Sequence, residues 1–226
     1  RYTLDHFLYR KALAQGCHIV KATVQSVARK LDKFCVETLQ GSTYRATVVI
    51  GAYGKRSNLD VNLSRTFIKK RAPYLAVKNH YHGDFPEDVV ALHNFRGGYC
   101  GVSKVENGHI NICYLADYAS FKRYKNLKVF QREVLYKNPH LEYVFENYEP
   151  IFPKPLTISQ VSFSPKETVE QQLVMRGDSA GMSHQICGNG MAMAIHSAKI
   201  LSELLIQCFE DQNCSLPAVE KAYHKQ

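Results

Sequence analysis

Apolar residues recur along this chain with three textures, and each texture predicts a different kind of element. In residues 2–15, Leu4, Phe7, Leu8 and Leu13 fall at helical spacing and Gly16 follows as a stop, which predicts an opening helix. Three short β-like runs come next: His18 to Val24, Phe34 to Leu39 and Tyr44 to Ile50. The last of these ends in the unbroken stretch Ala46 to Ile50, apolar on both faces, as in a strand buried between the layers of a parallel sheet. After the turn-rich Gly51-Ala52-Tyr53-Gly54 the pattern changes to long alternation. It runs through Tyr74 to His82, Val89 to Phe95, Tyr99 to Val105 and His109 to Leu115, broken by Gly83-Asp84, Arg96-Gly97-Gly98 and Glu106-Asn107-Gly108. This predicts an antiparallel meander, and Asn107-Gly108 is its strongest hairpin signal because both residues tolerate positive φ.

A helical stretch from Phe121 to Phe145 follows, interrupted at Asn138-Pro139, with Phe121, Tyr124, Val129, Phe130, Val134 and Leu135 on one buried face. The prolines Pro150, Pro153 and Pro155 lead into a strand around Ile158 to Phe163. Then α/β texture returns. Leu173-Val174-Met175-Arg176 reads as a strand feeding Gly177-Asp178-Ser179-Ala180-Gly181. A long helix starts near Asn189, carries Met191, Ala194, Ile195, Ala198, Leu201, Leu205 and Cys208 on one face, and stops near Asn213. Ser215 and Pro217 open one more helix. The order α/β, antiparallel β, α/β is that of one domain inserted into another, with residues 66–165 interrupting a unit made of 1–65 and 166–226.

Composition narrows the class. The 226 residues carry 29 basic and 20 acidic side chains, a formal charge of +9, with 45% hydrophobic residues, which excludes a disordered chain and a small disulfide scaffold. No apolar run approaches the ~18 uninterrupted residues of a membrane span, and residues 1–30 lack the order of a signal peptide, so a cytoplasmic location is expected. The seven cysteines are an odd number without a C-x-x-C pair. They are expected as reduced thiols, mostly core filler, without a four-cysteine zinc site. His80 and His82 share one strand face, but the sequence supplies no evident third ligand, so no metal is expected. Lys122-Arg123-Tyr124-Lys125, with Phe121 and Phe130 nearby, has a trace of nucleic-acid-binding character. It reads more simply as the wet side of an amphipathic helix, and nucleic acid is not an expected partner.

Two loops carry candidate chemistry. Gly177-Asp178-Ser179-Ala180-Gly181, then Gly188-Asn189-Gly190-Met191 at a helix start, can form an anion or dipole site. Glycines let a ligand approach the backbone, unpaired N–H groups point outward, and an acidic residue at the strand end accepts from sugar hydroxyls. An ordinary strand-to-helix turn capped by Asp178 fits the spacing equally well. Val48-Val49-Ile50-Gly51-Ala52-Tyr53-Gly54-Lys55-Arg56-Ser57 is a weaker signal of the same kind, a strand ending in glycines and a small hydroxyl residue, and it too fits a plain turn. Cys187 reads as a small buried thiol ahead of a redox-active one. Ser179, Ser183 and His184 lack the elbow that a nucleophilic serine requires.

In these segments, in this order, the chain resembles the flavin-dependent oxidoreductases of the geranylgeranyl reductase and p-hydroxybenzoate hydroxylase superfamily. Arg1-Tyr2-Thr3-Leu4-Asp5-His6-Phe7-Leu8 is similar to the family's arginine-to-leucine-aspartate helix start, Gly51 to Ser57 to its middle motif, and Gly177 to Gly181 through Gly190 to its flavin-binding motif. The Tyr99 to Gly108 hairpin is similar to the substrate-domain hairpin of bacterial members. The resemblance implies a fold of α/β plus α+β type: a partial FAD-binding Rossmann-like domain in residues 1–65 and 166–226 with an inserted antiparallel substrate domain in 66–165. It implies FAD as cofactor, with Gly177 and Asp178 at the ribityl chain and Gly188, Asn189, Gly190 and Met191 at the pyrimidine end of the ring. Arg1 and Gly54 would lie near the cofactor, and the backbone of Val24 near the adenine. Placing the positive end of a helix at the pyrimidine suits the anionic reduced flavin.

The sequence departs from the family at three places. The family's opening G-x-G-x-x-G strand is absent, so a truncated polypeptide is expected, one that binds FAD weakly or not at all and is inactive alone. Tyr53 stands where hydroxylases carry an acidic residue tied to the nicotinamide cofactor. The Tyr-x-Trp-x-Phe substrate motif of archaeal geranylgeranyl reductases is matched only at Tyr99, with Gly101 and Ser103 at the other two positions. The implied function is electron or hydride transfer between flavin and an apolar, isoprenoid-type small molecule or lipid, with an electron-donor protein and peripheral membrane contact as candidate partners. No catalytic residue is identifiable. Two alternatives stay open: a flavin monooxygenase or halogenase, the latter favoured by a lysine near the substrate, and a non-catalytic binding module that kept a degenerate FAD fold.

Overall fold

The computed structural model describes residues 2–70, 73–182, 188–211 and 214–225. The chain opens with α1 (Tyr2–Ala14), ended at Gly16 with φ 81°; none of its residues is buried. The alternation of His18 to Val24 does not become a strand. The strand β1 (Val24–Lys30) lies one segment later, because its hairpin partner β2 (Lys33–Thr38) runs out opposite Val24. An alternating sequence without a ladder partner stays irregular. β3 (Thr43–Ala46) completes a three-stranded antiparallel sheet in the order β1-β2-β3.

The expected single strand from Tyr44 to Ile50 is divided. After β3 the chain leaves that sheet and enters another as β4 (Ile50–Gly51), a two-residue strand paired in parallel with β12 (Leu173–Met175), which also pairs β11 (Val169–Glu170). The parallel pairing is present, but Ile50 is exposed rather than sandwiched. A short helix follows β4, α2 (Asn58–Asn62), started by a capping box in which Ser57 accepts from Leu59 N–H and the Asp60 carboxylate accepts from Ser57 N–H.

The meander forms as its alternation dictates. Strands β5 (Tyr74–His82), β6 (Val90–Phe95), β7 (Gly98–Lys104) and β8 (Ile110–Asp117) join β10 (Leu156–Val161) in the order β10-β5-β8-β7-β6, with β9 (Glu149–Pro150) on the far end of β5. The β7–β8 turn has Asn107 at φ 66° and Gly108 at φ 71°, closed by Val105 N–H donating to His109 carbonyl at 2.8 Å.

One face of this sheet is covered by α3 (Tyr118–Tyr124), α4 (Leu127–Val134) and α5 (Pro139–Asn147). Leu75, Val77, Cys100, Val102, Ile110, Ile112, Tyr114, Phe130, Leu135 and Leu141 form the core between them. The expected continuous helix before Asn138-Pro139 is broken once more. Lys125 turns left-handed at φ 57° and the Asn126 side chain accepts from Lys128 and Val129 N–H groups, starting a new helix. The restart turns Val129 to solvent at 44% exposure, while Phe130 and Val134, one turn apart, face the core. Lys122, Arg123 and Lys125 lie on the exposed side.

The C-terminal part holds α6 (Gly190–Glu210) and α7 (Leu216–His224). α6 ends at the Asp211 cap, short of the expected stop near Asn213, which lies outside the described residues. Its expected apolar face is buried only towards its C-terminal half: Leu201 and Cys208 pack with Val174, Val219 and Tyr223, whereas Met191 and Ile195 are exposed. That half packs on β12 and α7. By length and composition α6 is also apolar enough to cross a bilayer. The cysteines correct the expectation of free thiols throughout. Cys208 and Cys214 form a disulfide across the turn from α6 to α7, their Cα atoms 5.0 Å apart, because a six-residue separation brings the helix end back onto the incoming chain. Cys17 is exposed instead of filling a core, Cys35 and Cys100 are buried, and Cys187 lies outside the described residues.

Candidate functional site

The parallel strands β4 and β12 end side by side, so the two glycine-rich loops singled out in the sequence emerge at the same edge. Several hydrogen bonds hold them in register. Arg176 N–H donates to Gly51 carbonyl at 2.9 Å; the fully buried Ser179 hydroxyl accepts from Gly54 N–H at 2.9 Å and donates to Gly54 carbonyl at 3.1 Å. Ser179 is therefore a tie between the loops, placed out of reach of solvent.

Beneath the loops sits a buried ion pair that periodicity and motif spacing did not reveal. Arg65 and Asp60, 2% and 0% exposed, meet at 3.0 Å. Arg65 also donates to Ser179 carbonyl at 2.8 Å and Glu167 carbonyl at 2.7 Å, and the Tyr53 hydroxyl donates to Asp60 at 2.8 Å. The fork of the guanidinium thus fastens α2, the second loop and the approach to β11 with one side chain. Burial, reinforced by Asp60, pushes the Tyr53 phenol up to about 12. Tyr53 is thus a group that stays neutral and is absorbed in this network. Lys166 adds a further clamp, donating to the carbonyls of Lys55 and Asp178 at 2.7 Å each, with its ammonium 4.4 Å over the Phe67 ring; burial holds it below the ordinary lysine range. The one sequence-level signal for this network was Ser57-x-x-Asp60, a capping-box spacing.

Above the loops lies a cavity of about 680 Å³ bounded by Ile50, Ala52, Gly54, Arg176, Gly177, Asp178, Met182, Gly188, Gly190 and Met191, and continuing along α6 to Leu205. Six of the predicted cofactor residues, Gly54, Gly177, Asp178, Gly188, Gly190 and Met191, come together in this wall. Gly54 and Gly188 have φ of 87° and 64°, and a Cβ on either would enter open space, so a ligand can lie against their backbone. Asn189 caps α6 without a side-chain hydrogen bond, leaving the helix's first N–H groups uncovered by it. Arg176, preceding Gly177, is buried and held in part by Tyr223.

The remaining candidates are placed elsewhere. Val24 is the first residue of β1, in the separate three-stranded sheet, and is not among the residues bounding the cavity. Arg1, Ser183, His184 and Cys187 lie outside the described residues. His80 and His82 are joined across the sheet by His109, with ring centres 6.2 and 5.4 Å from it, an imidazole that pairing and not sequence spacing supplies. Among the described residues no three such side chains are arranged to hold a metal ion. Tyr99, Gly101 and Ser103 pair with Leu115, Cys113 and Asn111, so they share the sheet face opposite the helices. At its Tyr99 end that face packs on Met182, which also borders the cavity.

The chain is similar to several known proteins. The squalene epoxidase family profile matches residues 151–226. The chain is 27% identical to the digeranylgeranylglycerophospholipid reductase of Methanosarcina acetivorans, over 99% of this chain and 58% of that protein. Among solved structures, the flavin-dependent halogenase CmlS superposes with a TM-score of 0.80 at 16% identity, over 100% of this chain and 43% of that one. HpxO of Klebsiella pneumoniae, solved with FAD and uric acid, superposes at 0.63 and 16% identity, over 96% and 57%. The chain spans little more than half the length of the curated relative it matches. CmlS shares its mixed α/β fold with antiparallel sheets across the whole chain, and HpxO across nearly all of it.

Proposed function

We propose that this chain, which belongs to the superfamily of FAD-dependent oxidoreductases and monooxygenases, supplies the flavin-facing and substrate-facing parts of a geranylgeranyl-reductase-like enzyme. Such an enzyme passes electrons or a hydride between flavin and an apolar, isoprenoid-type substrate. The observation that carries this reading is the single cavity into which Gly54, Gly177, Asp178, Gly188, Gly190 and Met191 converge from three separate segments.

The residues fit FAD. An exposed carboxylate at the end of β12 suits the ribityl hydroxyls, the open start of α6 suits the pyrimidine edge, and the glycines leave room for close approach. When bound, FAD supplies the hydride or electron chemistry. The chain's own residues bind and orient. Ser179, Arg65 and Lys166 hold the two loops at a set separation. The Tyr99–Leu115–Ala76 cluster offers an apolar floor leading from the sheet to Met182. Kinship with a reductase whose name specifies a digeranylgeranyl lipid supports an isoprenoid chain on that floor.

Titrating a protein of its relatives' full length with FAD while following flavin fluorescence and visible absorption tests this reading. Saturable binding is expected, and Asp178→Ala should weaken it about tenfold, the worth of a charge-assisted hydrogen bond. A protein of its relatives' full length that binds no flavin would sink the proposal and leave the non-catalytic module. The squalene epoxidase match favours a second reading, a monooxygenase. Oxygen consumed in proportion to substrate would select it; anaerobic reoxidation of reduced flavin by a polyprenyl substrate would select the reductase.

A further inference from the structure

The sheet β10-β5-β8-β7-β6 has two edges, and the chain treats them differently. On β10 the register with β5 shifts between Ile158 and Val161, and Lys55 donates to the Ser159 carbonyl at 3.2 Å, so that edge is irregular and carries a charge. β6 is regular. It pairs with β7 without a shift from Val90 opposite Ser103 to Phe95 opposite Gly98, and the strand Val90-Ala91-Leu92-His93-Asn94-Phe95 contains no proline and no Lys, Arg, Asp or Glu. An edge without bulge, proline or charge is a template for another strand.

The ladder shows which groups on β6 are free. Asp117 N–H donates to the Gly97 carbonyl at 2.7 Å, so alternate residues of β7 from Tyr99 onward bond to β8, and Gly98, Cys100 and Val102 between them bond to β6. This occupies Phe95, His93 and Ala91. The backbone N–H and C=O groups of Val90, Leu92 and Asn94 point away from the sheet. Among the described residues one side chain meets them: Asn138 donates to the Asn94 carbonyl at 3.1 Å, which leaves that oxygen its second lone pair. The side chains of Val90 and Leu92 are 73% and 49% exposed.

We infer that β6 pairs antiparallel with β6 of a second copy of this chain, about a two-fold axis at Leu92, so that two sheets become one. This register sets Leu92 opposite Leu92 and Val90 opposite Asn94, and every outward residue of one strand meets an outward residue of the other. On the helix-covered face it sets the small Ala91 opposite His93. The flanking charges name the partner. Asp88 lies as far before Leu92 as Arg96 lies after it, so antiparallel pairing brings Asp88 of each copy opposite Arg96 of the other. Both are exposed, and neither forms an ion pair among the described residues. The two-fold axis stands normal to the sheet, which keeps the Tyr99 faces of both copies on one side. The pairing does not depend on the cofactor reading.

Sedimentation velocity over a concentration series, on a protein of its relatives' full length, tests the inference. The wild-type dimer fraction should rise with concentration. Leu92→Lys sets like charges together on the axis and should weaken dimerisation at least about tenfold, and Arg96→Asp, which opposes two acids at each end, about fivefold. Adding Asp88→Arg to Arg96→Asp restores opposite charges and should return the dimer to within about twofold of wild type, a rescue that a folding defect does not give. Leu92→Cys should crosslink on mild oxidation above the wild-type background. Val90→Cys should not, because its two copies lie about 13 Å apart along the paired strands. A monomer at every concentration overturns the inference, as does a dimer that Leu92→Lys leaves intact. Failure of the charge swap to rescue, or crosslinking at Val90→Cys in place of Leu92→Cys, overturns it as well.

Discussion

Arg65 illustrates how much one residue can hold. Its guanidinium, 2% exposed, joins Asp60 to the carbonyls of Ser179 and Glu167. Arg65→Met leaves Asp60 buried without a countercharge, held among the described residues only by Tyr53 and Ser57 N–H, and should destabilise the protein by about 3–5 kcal/mol, measured by urea unfolding. Replacing both residues with apolar ones should cost clearly less than the single change, because no orphaned charge remains. Tyr53, in the same network, sets a pH dependence. Its phenol titrates at about 12 in the folded state against 10.0 when free, and buried Tyr81 is likewise raised to about 12. A raised folded value means that the native state keeps its proton longer, so stability is full below about 10 and falls as pH rises from there through 12. Urea midpoints at about pH 9 and pH 11 should show the fall, and Tyr53→Phe should flatten it.

At the scale of elements, local sequence succeeded where the signal and its cause are both local. The Asn107-Gly108 turn needs two positive φ values, and the pair that tolerates them is written in the chain. Gly108→Val should therefore cost about 1–2 kcal/mol by calorimetry, whereas Asn107→Gly should be nearly neutral. Strands β5 to β8 were legible for a related reason, since a half-buried antiparallel sheet prints its alternation on every strand. The run Tyr44 to Ile50 was misleading because it serves two sheets, and a change of partner leaves no mark on an apolar stretch. The face of α6 was overread: helical periodicity says which residues could be buried together, and only a packing neighbour buries them.

For the whole molecule, function depends on distant segments meeting. Gly54 and Ser179 are 125 residues apart and bonded through both donor and acceptor. Gly188→Val places a side chain in the open space that Gly188 leaves in the cavity wall, at φ 64°. It should weaken FAD binding at least about tenfold, well beyond the ~1–2 kcal/mol of backbone strain seen in melting, and parallel flavin titration and thermal unfolding would separate the two effects. Glycine positions, turn pairs and strand alternation were determined by the sequence alone, because backbone sterics and the two-residue pleat act over a few neighbours. The glycine-rich loop from Gly177 to Gly181 after a strand was legible for the same reason. Tertiary structure alone decided that Arg65 is buried against Asp60, that Cys208 meets Cys214, and that His109 joins His80 and His82. Burial and electrostatic pairing depend on which surfaces come together in space, and spacing along the chain carries no record of that.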